Sequence, residues 1–186
     1  MNKTTKKYIE MAKNYFKAAQ ILQNQLLDNP ELFRPTIYLL RHSNELLLKG
    51  IIIDISKRNY NRSVKDISIN GRKITQTHSL IDLWEYYLSI ESPLCVYESQ
   101  QVRRVLKRLD KRDQSSTYYR YPYRQNGKSV SISPIVLGEM PSNIRRSPML
   151  IVEASGDIKA IEKGRKELSD LCELFSATET LFSIFC

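Results

Sequence analysis

His78 and Arg72 are the residues of this chain best suited to moving a proton beside a phosphate. His78 stands in the run Gln76-Thr77-His78-Ser79-Leu80, where Thr77 has the chemistry of a helix N-cap. In the first turn of a helix the dipole disfavours a protonated imidazole, so the neutral ring, a proton acceptor, is favoured. Arg72 lies six positions earlier. Together an arginine and a neutral histidine can hold an RNA phosphate and take the 2′-hydroxyl proton without a metal. The competing reading is plainer: His78 only opens a helix, and Arg72 is a loop charge.

A second constellation is Arg41-His42-Ser43-Asn44-Glu45, with Lys49 one turn beyond. Five adjacent polar residues in a helix that otherwise forms core must find partners, because unpaired burial costs several kcal/mol. Arg41, Glu45 and Lys49 recur at four-residue steps with alternating sign. As neighbours on a helix each such pair is worth roughly 0.2–0.5 kcal/mol. The sequence therefore predicts that Arg41 and Glu45 pair with each other or with another helix, as a structural cluster or a secondary site that includes His42 and Lys49.

The third signal is charge. The chain of 186 residues carries a formal net charge of +9. Arg103 to Arg124 holds eight basic residues against Asp110 and Asp113, and Met1 to Lys17 holds five lysines against Glu10. Such a stripe concentrates polyanions near the surface without naming one: RNA, DNA, a nucleotide and an acidic protein all fit, as does a merely solvated face. Arg103, Arg104, Lys107 and Arg108 lead it, and Arg120, Tyr121 and Arg124 follow in the run Tyr118-Tyr119-Arg120-Tyr121-Pro122-Tyr123-Arg124. Interleaved Arg and Tyr suit stacking on bases and contact with phosphates. Alternatively these rings fold back over the core.

Several function classes are excluded by what is missing. Two histidines and three scattered cysteines, Cys95, Cys172 and Cys186, offer no zinc-ligand spacing, so no metal and no cofactor is expected. Neither GxxxxGK[ST], GxGxxG nor GxSxG occurs. The odd cysteine count argues against a disulfide framework and for a reducing cytoplasm. Apolar stretches are broken by charge well short of the roughly 20 residues a membrane span needs, and the lysine-rich start lacks a signal's apolar core.

The elements that must position these residues are helices. Apolar residues every three or four positions predict helices over about Thr5–Leu27, Pro35–Lys57, Thr77 or His78 to Pro93, Val96–Arg112 and Asp157–Phe182. The polar stretch from Asn59 to Thr77 contains Asn70-Gly71, a turn signal that allows a short hairpin. Asp113 to Pro148, with four prolines, predicts a long loop in which Val130-Ser131-Ile132-Ser133 can pair as a strand. The expected fold class is all-α: one domain over 1–186, an antiparallel up-and-down bundle of about five helices.

Three segments together resemble the HEPN family. Tyr38-Leu39-Leu40-Arg41-His42-Ser43-Asn44-Glu45-Leu46-Leu47-Leu48-Lys49-Gly50 is similar to the family's second helix, with Arg, Glu and Lys at four-residue steps before an apolar run. Thr77-His78-Ser79-Leu80 is similar to the His-x-Leu start of its next helix, and Tyr119-Arg120-Tyr121-Pro122 to an aromatic-Arg-Tyr-Pro element of one bacterial branch. The resemblance covers about Lys7 to Arg124. It implies a helical bundle, commonly a homodimer, of a kind found in toxin–antitoxin and phage-defence systems, where a cognate antitoxin or other defence protein is a partner. It also implies a metal-independent endoribonuclease using Arg72 and His78. The alternative within the family is a non-catalytic module that binds a nucleotide, an RNA or a partner protein.

Overall fold

The structure is a computed structural model and describes residues 2–26, 28–91, 96–112 and 158–185. Five helices carry almost all of the regular structure: α1 (Lys3–Asn24), α2 (Phe33–Tyr60), α3 (Leu80–Ile90), α4 (Val96–Arg112) and α5 (Ile158–Phe185). The bundle expected from the periodicity is present, with helix ends displaced by a few residues. The 113–148 stretch, with its tyrosine run and possible strand, lies outside the described residues, as does Pro93.

α1 starts at Asn2, whose side chain accepts the Thr5 N–H at 2.9 Å. Ile9, Ala12 and Ala19 form its buried stripe. Small residues on this face let α1 approach α2 closely. At Gly50 of α2, a Cβ would lie 3.1 Å from both Ile9 Cγ1 and Tyr8 Cβ, so hydrogen in place of a side chain lets the two helices meet.

α2 is the axis of the molecule. It packs against α1, α3 and α5, while α4 closes the bundle against α3 and α5. Ile37, Leu40, Leu47, Leu48 and Ile52 are fully enclosed, and the helix is buried on most of its circumference from Ile37 to Ser56. It ends at Asn61, which adopts left-handed φ of 50° and returns its N–H to the Lys57 carbonyl.

Between α2 and α3 the predicted hairpin forms. β1 (Ser68–Ile69) pairs antiparallel with β2 (Arg72–Lys73), Ser68 opposite Lys73 and Ile69 opposite Arg72. Asn70 and Gly71 both have positive φ, at 50° and 77°, the requirement of a tight two-residue turn that Asn-Gly meets at least cost. Ile67, Ile69 and Ile74 are buried and anchor the hairpin to the bundle.

The start of α3 corrects one expectation. Thr77 is not the cap: it closes the preceding turn, where its hydroxyl donates to the Lys73 carbonyl at 3.1 Å. Ser79 caps instead, accepting the Asp82 N–H at 3.1 Å. His78 therefore precedes the cap rather than sitting in the first helical turn, and it owes its setting to side chains rather than to the helix dipole. Among the described residues no helix is long and apolar enough to cross a membrane.

Candidate functional site

A cluster of charged side chains occupies the middle of the bundle. Arg41, Glu45 and Lys49 share one face of α2, and their residues are only 1%, 1% and 4% exposed. Charges removed from water this completely must be matched by partners at hydrogen-bond distance. Arg41 Nη1 donates to Glu45 Oε2 at 3.1 Å, and Lys49 Nζ donates to Glu45 Oε1 at 2.8 Å. From α4, Asp110 Oδ1 takes Arg41 Nη2 at 3.3 Å. The same Nη2 donates to the His78 carbonyl oxygen at 2.6 Å. His78 Nδ1 lies 2.9 Å from Glu45 Oε1.

Asp110 has a second task. Its Oδ2 accepts the Ser79 hydroxyl at 3.1 Å and the Ile81 N–H at 2.9 Å. Its negative charge thus sits at the N-terminus of α3, where backbone N–H groups lack helical partners. One arginine and one aspartate consequently tie α2, α3 and α4 together at the point where His78 emerges. Nearby, Asn44 Nδ2 donates to the Leu40 carbonyl and to Thr178 Oγ1 of α5, which extends the polar seam to a fourth helix.

Two cations and two carboxylates balance in this cluster while His78 is neutral. Burial pushes the Glu45 carboxyl up, but the charge and hydrogen bond of Lys49 and the charge of Arg41, joined by His78 when its ring is protonated, outweigh it and hold the group below the usual carboxylate value. Tyr8 of α1 flanks the same carboxylate: burial first, then the Glu45 charge, raise its phenol above the ordinary tyrosine value. The His78 side chain is 44% exposed against 2% for Glu45, so the imidazole is the cluster's contact with solvent.

The other anticipated residues distribute differently. Arg72 is exposed on β2, in the hairpin that leads through Ile74–Gln76 to His78, and among the described residues no hydrogen bond or ion pair engages its side chain. His42 stands between two tyrosine rings, edge-on to Tyr15 at 4.7 Å and stacked on Tyr38 at 5.8 Å. Arg103 pairs with Glu85 of α3 at 2.6 Å. Arg108 reaches Asp170 and Glu173 of α5; burial lowers its pKa, but these two acids outweigh that and raise it. Arg104, Lys107 and Lys111 are exposed along one side of α4, and among the described residues none is ion-paired. Arg120, Tyr121 and Arg124 lie outside the described residues.

Sequence reasoning missed Asp110, counting it only as one acid in a basic run. A signal was available. Asp110 falls four positions after Leu106 and eight after Val102, both buried, so it shares the apolar face of α4, where an acid requires a partner. Among the described residues there is no group of three or more histidines, cysteines or acids able to hold a metal. No family model, curated protein or solved structure matches the chain. The class defined by fold and site is thus an all-α bundle with a buried ion cluster that delivers one histidine to the surface.

Proposed function

We propose that this chain is a HEPN-like, RNA-associated protein that cleaves RNA without a metal, with His78 as general base and Arg72 at the phosphate. The observation that carries the reading is the half-exposed His78 ring set against the buried Glu45 carboxylate at 2.9 Å. A histidine so held, in contact with solvent, has the geometry a base needs. The imidazole takes the 2′-hydroxyl proton, the 2′ oxygen attacks the adjacent phosphorus, and the bond to the 5′ oxygen breaks. That oxygen takes a proton from water, and the hydroxide left behind is neutralised by the proton the imidazolium gives up, so the products are a 2′,3′-cyclic phosphate and a 5′-hydroxyl and His78 returns to its neutral form. The exposed Arg104, Lys107 and Lys111 supply the electrostatic attraction for the strand. The active form is a homodimer in this reading, and light scattering at tens of micromolar that gives a monomer mass counts against it.

A second reading, a non-catalytic module that binds RNA, a nucleotide or a partner protein, draws on a different observation. The same residues that hold His78 also fasten three helices together, a sufficient reason for their presence. Purified parent and His78→Ala proteins, incubated with mixed RNA in EDTA, separate the two. The nuclease reading expects the parent to cut and the variant to lose about 10²–10⁴-fold in rate, the usual worth of a general base. Intact RNA that is nonetheless bound by both proteins supports the module; equal cutting by both overturns the assignment to His78.

A further inference from the structure

We propose that Glu45 is the positioning residue of this site: it holds the neutral His78 ring in the tautomer protonated on Nδ1, which makes Nε2 the proton-accepting atom. The inference rests on the function proposed above for its reaction, and on the geometry alone for its tautomer.

Glu45 Oε1 accepts from Lys49 Nζ at 2.8 Å and lies 2.9 Å from His78 Nδ1, while Oε2 accepts from Arg41 Nη1 at 3.1 Å. Two cations on one carboxylate keep it ionised, and an ionised carboxylate has no proton to donate. The hydrogen between Glu45 and His78 must therefore come from the ring. A neutral imidazole carries one N–H, so with Nδ1 protonated the lone pair is on Nε2, on the opposite edge. Since Nδ1 is spent on a group that is 2% exposed, the accessible remainder of the ring is the edge that accepts.

The backbone is fixed from the same helix. Arg41, one turn before Glu45, donates to the carbonyl of His78 at 2.6 Å. α2 thus grips His78 twice, at its peptide and at its ring, and two gripping points fix a side chain's direction as well as its location. Among the described residues, the other charged and titratable groups tied to this carboxylate and to Arg41 are Lys49 on α2, Tyr8 on α1 and, through Arg41 and Ser79, Asp110 on α4. A carboxylate that orients a histidine in this manner supplies no proton to the substrate. It determines which nitrogen faces the substrate.

The test needs no ligand. In uniformly 15N-labelled protein, two-bond proton–nitrogen correlations at about pH 8.5, above the ordinary histidine range, distinguish the two ring nitrogens. The chain has two histidines, so the signals that vanish in His78→Gln belong to His78. The expected spectrum has a protonated-type Nδ1 and an unprotonated-type Nε2. The reverse pattern overturns the proposal. Glu45→Gln leaves buried Lys49 without its counter-charge and Arg41 with Asp110 alone, and so risks unfolding; the second variant is therefore Glu45→Asp, which keeps the charge and withdraws it by one methylene. It is expected to stay folded by circular dichroism, to shift His78 toward the Nε2-protonated tautomer, and to lower kcat by about 10-fold or more at unchanged KM, bounded by the 10²–10⁴ that a base contributes. A tautomer unaltered in folded Glu45→Asp overturns the positioning role. Intact RNA beside an Nδ1-protonated His78 in the parent overturns the nuclease reading and upholds the tautomer, so the two failures are told apart.

Discussion

Replacing Arg41 with Met tests whether the buried cluster fastens the helices. Met preserves much of the side chain's length and deletes the guanidinium. At least three acceptors lose a donor: Glu45 Oε2, Asp110 Oδ1 and the His78 carbonyl. Removing one partner from a buried ion pair costs about 3–5 kcal/mol, because the remaining charge stays away from water. Here both carboxylates keep other donors, Lys49 for Glu45 and Ser79 with Ile81 for Asp110. The loss should therefore fall near the lower end, about 3 kcal/mol. At about 2–4 °C per kcal/mol for a chain of this size, Tm drops by about 6–12 °C. Thermal and urea melts followed by circular dichroism measure it. Asp110→Asn and the double variant complete a cycle, and a coupling energy of about 1 kcal/mol or more is expected for residues in direct contact. A single-variant loss below about 1 kcal/mol, with additive effects in the cycle, would refute the idea that these charges hold α2 to α4.

Two further outcomes follow from the same geometry. Glu45 has a folded-state pKa below its ordinary 4.5, so the stability it contributes is present above that value and is lost as the pH falls beneath it toward the lowered folded value. Melts between about pH 5 and 3 should show a steep fall for the parent and a shallower one for a folded Glu45→Gln protein, whereas identical slopes would remove Glu45 from the acid transition. On α4 the split between paired and unpaired cations gives a contrast: changing Arg104, Lys107 and Lys111 together to Ala should flatten the dependence of RNA affinity on salt by about 0.7 for each phosphate that is no longer neutralised. Arg108→Ala should mainly loosen α4 from α5, and a triple variant that binds as the parent does at every salt concentration would mean that this side of α4 does not meet RNA.

The five helices were legible because their apolar residues repeat at helical spacing and depend little on what they pack against. The hairpin was legible for a similar reason, since Asn70-Gly71 is a local demand for positive φ. The cluster was half legible. That Arg41 and Glu45 needed partners follows from five polar residues inside an apolar helix, and their mutual pairing follows from the four-residue step. Their distant partners do not. Asp110 lies 69 positions from Arg41, and helical periodicity gives a residue's face without naming the helix opposite. The displaced cap at Ser79 was hidden because Thr77 and Ser79 have nearly the same chemistry. What decides between them is that the Asp82 N–H meets the Ser79 hydroxyl. The basic run of α4 was visible as charge, but its division into ion-paired Arg103 and Arg108 and, among the described residues, unpaired Arg104, Lys107 and Lys111 depends on acids supplied by α3 and α5.

The ladder of charges along α2 has a different meaning while the protein is being made. Chains emerge from the ribosome N-terminal end first, at about 5–20 residues per second. α1 and α2 are complete some seconds before Asp110 of α4 and Thr178 of α5 appear. Throughout that interval α2 has nothing to cover the side that the later helices occupy, and that side would be a sticky apolar surface were it made of leucine alone. Arg41, Glu45 and Lys49 can pair with one another along the helix before any other partner exists. They give the nascent α1–α2 hairpin a water-compatible stripe, and this stripe is withdrawn from water only when the helices synthesised later arrive to cover it.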